Sequence, residues 1–302
     1  MMKRDKLLIV RAGALGDTLM LLPSINAFKK DYEIIILGKN PGISYLEPFA
    51  DQCIDMERGG WHRLFSRGAD ISTFSLQADH VIAFIYDDEK IVSDNLSRLF
   101  PDKKVDIFPP FPDPDSKIHV ALYMACSIRS TGIPFDYKAS FDAAFTKPLI
   151  HSNTGKEKKI LLHPGSGSKK KNYPPEFWFE LLNLIKMERA LKYTDIFFML
   201  GPAEENLVSV IEEKAKGFNA GIYLFPEKEE LLSILSSTYL YIGHDSGVTH
   251  LAAMLGVNTI ALFKDSSIIQ WHPIGPSVKI IGPDRNAERI LKKTIREAVS
   301  LF

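Results

Sequence analysis

The sequence predicts an α/β protein made of two doubly wound parallel-sheet domains. Three observations carry this expectation. Short apolar runs alternate with helix-length segments, a polar stretch with Pro148 and Gly155 interrupts the alternation near the middle, and glycine-bearing turns follow several of the apolar runs. Strand and helix in alternation are the mark of a parallel sheet covered by helices. A chain of 302 residues is about twice a typical domain, which favours two such units.

In the first half, KLLIVR (6–11) reads as a strand, Asp17–Lys30 as its helix and YEIIILG (32–38) as the next strand. HVIAFI (80–85) is another strand, followed by a helix over Asp87–Phe100. The prolines of DIFPPFPDPD (106–115) break the pattern; a helix resumes at Ser116, with Val120, Met124 and Ile128 at helical spacing. FTKPLIHSNTGKEKK (145–159) is polar and basic and reads as a linker. The second series then runs strand and glycine loop (158–167), helix (176–191), strand and helix start (195–206), strand, turn and helix (239–256), and strand (258–263). Domains are expected at 1–148 and 149–302, with the last helix able to pack back on the first. Ligands of such sheets sit beyond the carboxyl ends of the strands.

Composition excludes several classes of protein. Lys plus Arg and Asp plus Glu are both 37, so nothing in the net charge calls for nucleic acid, and any charged site must be local. Cys53 and Cys126 are far apart and lack metal-ligand spacing; they read as buried thiols in a reducing compartment. No apolar run approaches the roughly 18 residues of a membrane span, and the start lacks a signal-peptide core, so a cytoplasmic location is expected.

The polar motifs fall at strand ends. HPGSGSKKKNYPP (163–175) sets Gly165, Ser166 and Gly167 in a tight loop before three lysines, as an anion-binding loop requires, although a plain turn with solvated lysines has the same look. It lacks the Gly-Lys-Ser/Thr of a Walker A loop. In GHDSGVTHLAA (243–253), Asp245 or Ser246 can cap a helix whose first-turn N–H groups at Gly247, Val248 and Thr249 suit a diphosphate. His250 alone reads more readily as a structural histidine than as a ligand. Glu204 stands near another helix start, where it either accepts from ribose hydroxyls or only complements the dipole.

Together, VRAGALGDTLMLLPSINAFK (10–29), LLHPGSGSKKKNYPPEFW (161–178), LGPAEEN (200–206) and YIGHDSGVTHLAAMLGVNTIALF (241–263) resemble the heptosyltransferases of lipopolysaccharide core assembly, inverting glycosyltransferases with the GT-B fold. The resemblance implies two Rossmann-like domains facing across a cleft. It implies an ADP-heptose-type donor on the C-terminal domain and a glycolipid or oligosaccharide acceptor on the N-terminal one. Ser166, Gly167 and Lys171 match positions near the phosphates or sugar, and Glu204 the ribose contact. Asp245 matches the donor-sugar position, Ser246, Gly247 and Val248 the phosphate-binding helix start, and His250 completes that motif. Lys228 stands where the family's backbone meets adenine, usually with an apolar residue.

The acceptor side departs from the family pattern. Phe84–Asp88 replaces an Asp-x-Gln-Gly type turn, and Phe263–Ser267 replaces a Gly-Pro-Thr-Asp type turn. Arg58 and Arg63, with Trp61 between them, are candidates to face an anionic acceptor sugar, or else a partly solvated surface helix. No cofactor, metal or nucleic acid is implied; peripheral contact with the inner face of the cytoplasmic membrane stays open.

Asp17 follows the first strand at the start of a helix, where the dipole favours its charged form. By itself it reads as an ordinary helix cap. The resemblance implies that it is the catalytic base, taking the acceptor hydroxyl's proton as the bond to the sugar forms. Two rivals remain: a nucleotide-sugar epimerase of the same fold, which needs no acceptor, and a non-catalytic nucleotide-sugar-binding relative.

Overall fold

The computed structural model describes residues 4–151, 155–284 and 286–302. The chain divides into two compact units, Met1–Ala143 and Ala144–Phe302. In the first, β1 (Asp5–Arg11) leads to the short helices α1 (Leu15–Leu19) and α2 (Leu22–Phe28), then β2 (Tyr32–Gly38) and β3 (Gln52–Asp55). β4 (His80–Phe84), α3 (Ile91–Leu99), β5 (Val105–Phe108), α4 (Val120–Ser130) and α5 (Tyr137–Ala143) complete it. The strands are parallel in the order β3-β2-β1-β4-β5. Leu7 to Val10 of central β1 are fully buried, which explains its unbroken apolar run: both faces of the strand are covered.

The second unit holds β6 (Glu157–His163), α6 (Pro175–Met187), β7 (Asp195–Leu200), α7 (Val208–Gly217), β8 (Gly221–Leu224) and α8 (Lys228–Ser237). β9 (Thr238–His244), α9 (Gly247–Met254), β10 (Asn258–Leu262), α10 (Ile268–Trp271), β11 (Val278–Ile281) and α11 (Ala287–Leu301) follow. Its six parallel strands run β11-β10-β9-β6-β7-β8. In both sheets the chain winds outward one way, returns to the middle and winds the other way. The switch points are β1/β4 and β6/β9, and a crevice forms beyond the strand ends at such points.

Several expectations change in detail. The helix expected over Asp17–Lys30 is two pieces; it begins earlier, at Leu15, and breaks at Met20–Leu21 ahead of Pro23, which sits in the first turn of α2 where a missing N–H is harmless. The helix expected from Asp87 starts at Ile91, because the Asp87 carboxylate accepts from Val92 N–H (2.9 Å) and Ser93 N–H (2.8 Å) and so serves as its cap. In the expected linker, the Leu149 and Ile150 N–H groups donate to the Met254 carbonyl, anchoring that stretch to the second unit, and β6 already begins at Glu157; Ser152 to Thr154 lie outside the described residues. α11 buries Ile290, Leu291, Thr294 and Ala298 on its own unit, against α6, β10 and β11. Both cysteines are half-buried rather than buried.

Candidate functional site

In the second unit, three neighbouring strands carry the polar residues, since β9 pairs with β6 and β6 with β7. The loop after β6 lays Gly165 directly beneath Glu204, which arrives from the turn after β7. A Cβ on Gly165 would lie 1.9 Å from the Glu204 carboxyl carbon, so this close approach requires glycine. Glu204 is only 4% exposed, and its two oxygens differ. Oε2 accepts from Gly201 N–H (2.9 Å) and lies 3.8 Å from His163 Nε2; Oε1 has no hydrogen-bond partner among the described residues.

Ser166 is held inside its own loop, within hydrogen-bond distance of Asn172 Oδ1 (2.6 Å) and the Ser168 carbonyl (2.9 Å). Gly167 is exposed, with open space where a Cβ would stand. Lys264, from the turn after β10, pins the lysine loop by donating to the Asn172 carbonyl (2.8 Å).

Lys171 Nζ meets Asp245 Oδ2 at 2.6 Å, and His250 Nε2 stands 3.5 Å from Oδ1. Burial pushes the Asp245 pKa up, but His250 and Lys171 outweigh it and hold the carboxyl below the usual carboxylate range. Lys171 keeps a third of its side chain exposed, whereas Asp245 and His250 are buried. Ser246 caps α9 by accepting from Thr249 N–H (3.3 Å). The N–H groups of Gly247 and Val248 then have no protein acceptor among the described residues, and the positive end of the helix is open to an anion. Lys228 is the first residue of α8, half-buried beyond β8.

Beneath this surface runs a buried polar chain that the sequence reading missed. His163 Nδ1 bonds Tyr241 OH (2.7 Å), Tyr241 OH bonds Thr249 Oγ1 (3.1 Å), and Thr249 Oγ1 bonds Ser246 Oγ (3.0 Å) and the His244 carbonyl. Burial pushes the Tyr241 pKa far up, so the phenol keeps its proton. The one hint in the sequence is a histidine closing an apolar strand just before Pro-Gly.

In the first unit, Asp17 occupies the first turn of α1, half-buried at the β1/β4 switch point. Oδ2 accepts from Ala14 N–H (3.0 Å), while Oδ1 has no hydrogen-bond partner among the described residues. Gly13 lets this turn close: a Cβ there would lie 2.6 Å from Asp17 Cβ. Arg11 lies buried below, donating from Nη1 to the Pro110 carbonyl (3.0 Å) and from Nε to the Asp17 carbonyl (3.4 Å), with Phe111 4.8 Å away. Burial lowers its pKa to about 10 even though Asp17 opposes the shift.

The two candidate arginines differ from each other. Arg63 is committed to its own loop, donating to Gly60 and Asp70 carbonyls and to Thr73 Oγ1, over the Phe74 ring on which buried Trp61 stacks at 4.2 Å. Arg58 is 85% exposed, 3.5 Å from Asp55.

Known proteins are similar to this chain in sequence family and in fold. Residues 109–299 match the family model described as glycosyltransferase family 9 (heptosyltransferase). The chain is 26% identical to lipooligosaccharide heptosyltransferase 2 of Campylobacter jejuni, over 86% of this chain and 81% of that one. Among solved structures it is similar to E. coli heptosyltransferase WaaC with ADP (TM-score 0.67, 16% identity, 97% and 99% of the two chains). It is also similar to E. coli ADP-heptose LPS heptosyltransferase II (TM-score 0.68, 14% identity, 98% of each). With a family match over more than half its length and the parallel-sheet architecture of those structures, this chain belongs to glycosyltransferase family 9, the heptosyltransferases, and has the α/β GT-B type of fold.

Proposed function

We propose that the chain moves a heptose from an ADP-heptose-type donor to a hydroxyl of a lipopolysaccharide-core or related glycan, with inversion at the anomeric carbon. One observation carries the donor half. At the β6/β9 switch point a carboxylate with a free oxygen, a lysine and bare helix N–H groups stand on three neighbouring loops, the set that a ribose and a diphosphate require. Glu204 Oε1 accepts from ribose hydroxyls, Gly247 and Val248 N–H meet the phosphates, and Asp245 takes hydroxyls of the sugar. The loop of Ser166 and Gly167 gives the diphosphate room, and the α8 start at Lys228 borders the base. The WaaC structure holds ADP, which supports an adenine nucleotide.

In the transfer step the acceptor oxygen forms a bond to the anomeric carbon while the bond from that carbon to the diphosphate breaks. The leaving electron pair goes to ADP, and the acceptor's proton goes to the Asp17 carboxylate. Lys171 and the α9 N–H groups stabilise the charge gathering on ADP without calling on a metal ion. The acceptor belongs to the first unit, beside Asp17; there Arg58 keeps an exposed guanidinium, whereas Arg63 serves its loop. Among the described residues no helix is long and apolar enough to cross a membrane.

Calorimetry on the full chain tests the donor half. ADP should bind more tightly than UDP, and both Lys171→Ala and Glu204→Ala should weaken ADP by about tenfold to a hundredfold, the loss of a contact to a charged group. Equal affinity for ADP and UDP, or unchanged affinity in both variants, overturns this reading. Release of product from donor alone would favour epimerisation.

A further inference from the structure

We propose that His163 is a positioning residue that aims Glu204 at the donor ribose and joins it, through Tyr241 and Thr249, to the diphosphate-facing start of α9. This rests on the donor site proposed above. His163, Glu204, Tyr241 and Thr249 are each at most 4% exposed. Buried polar groups persist when each finds a partner, and these partners form one continuous chain.

The hydrogens fix its direction. Thr249 donates its hydroxyl hydrogen to the His244 carbonyl, so its oxygen accepts from Ser246 and lies 3.1 Å from Tyr241 OH. Tyr241 has one hydrogen. If it goes to His163 Nδ1, the ring's own hydrogen sits on Nε2, facing Glu204. In that arrangement the Nε2–H edge looks at Glu204 Oε2 from 3.8 Å, a distance that makes the contact electrostatic rather than a hydrogen bond. Gly201 N–H holds the same oxygen, and the Gly165 backbone sits against Oε1. Oε2 is thereby anchored on two sides and Oε1 is left for the ligand. The same chain ends at Ser246, the cap that leaves Gly247 and Val248 bare, so the ribose and phosphate ends of the site are set by one network.

The test compares ADP with 2′,3′-dideoxy-ADP by calorimetry on the full chain. Wild type should prefer ADP by about tenfold. His163→Phe, which keeps a ring and removes both nitrogens, should bring that ratio close to one, while affinity for the dideoxy nucleotide changes by less than about twofold. His163→Gln, which restores an N–H toward Glu204, should recover part of the ratio, and Tyr241→Phe should lower it less. Should His163→Phe fail to fold, the ratios for His163→Gln and Tyr241→Phe decide the matter. An equal loss for both nucleotides, or an unchanged ratio in the variants, overturns the positioning role. A wild type without any preference overturns the ribose assignment of Glu204, and this proposal with it.

Discussion

At Asp17 the two oxygens have different surroundings. Oδ2 closes the first turn of α1 on Ala14 N–H, and Oδ1 is free to take a proton. Asp17→Asn keeps an oxygen for Ala14 and removes the base. Transfer should therefore fall by about a hundredfold to ten-thousandfold, whereas loss of a cap would cost about 1 kcal/mol of stability. Single-turnover rate, ADP affinity and melting temperature measured on one preparation separate the two; a rate near wild type reduces Asp17 to a cap. Gly165 offers a second residue-scale test. An added methyl would occupy the place of the Glu204 carboxyl, a side chain that can swing away where backbone could not. Gly165→Ala should then reproduce the ADP-binding loss of Glu204→Ala with little change in melting temperature. Full ADP affinity in Gly165→Ala would mean that the Glu204 position does not matter for the nucleotide.

Among the elements, the strands were the most legible in the sequence. The apolar runs from Leu7, Ile34, Val81, Ile160, Ile196, Leu240 and Ile260 became the inner strands because two-sided burial leaves no room for alternation. Helix starts were less legible, since a carboxylate near a boundary can be a cap or lie inside. The sequence pattern predicts Asp87 as the first residue of a helix, but it caps α3 from outside, with the positive-φ residue Lys90 between. That role accounts for an acid in a turn that departs from the family pattern. Asp87→Ala removes acceptors from two N–H groups of α3 and should cost about 0.5 to 2 kcal/mol in denaturant unfolding, with transfer rate unchanged. A rate loss without a stability loss would move Asp87 into the acceptor site.

Across the whole molecule, site residues marked by local turns could be read along the chain while the partners that hold them could not. Asp17, Lys171, Glu204 and Asp245 stand in turns whose glycines and caps are local features. The partners that hold them, such as His163 for Glu204 and Lys264 for the lysine loop, come from strands and turns brought together only by the sheet order. His244 belongs to this hidden set. Its Nε2 accepts from Tyr173 N–H (2.8 Å), its ring meets Trp178 edge-on at 5.1 Å, and the next residue is Asp245. Burial, with His163 adding to it, lowers the His244 pKa from 6.5 to about 3, so the folded chain keeps the ring neutral where an unfolded chain would bind a proton. The stability this gives is complete above pH 6.5 and drains away as pH falls toward 3. One proton corresponds to a slope of about 1.4 kcal/mol per pH unit in that window. His244→Gln leaves an acceptor for Tyr173 and cannot titrate. It should be less stable than wild type at pH 7.5, yet lose stability less steeply between pH 6 and 4, by up to that one-proton slope. Denaturant unfolding of both proteins across this range provides the measurement. Equal slopes would show that His244 titrates like an exposed histidine, and the acid sensitivity would then have to be sought among the carboxylates.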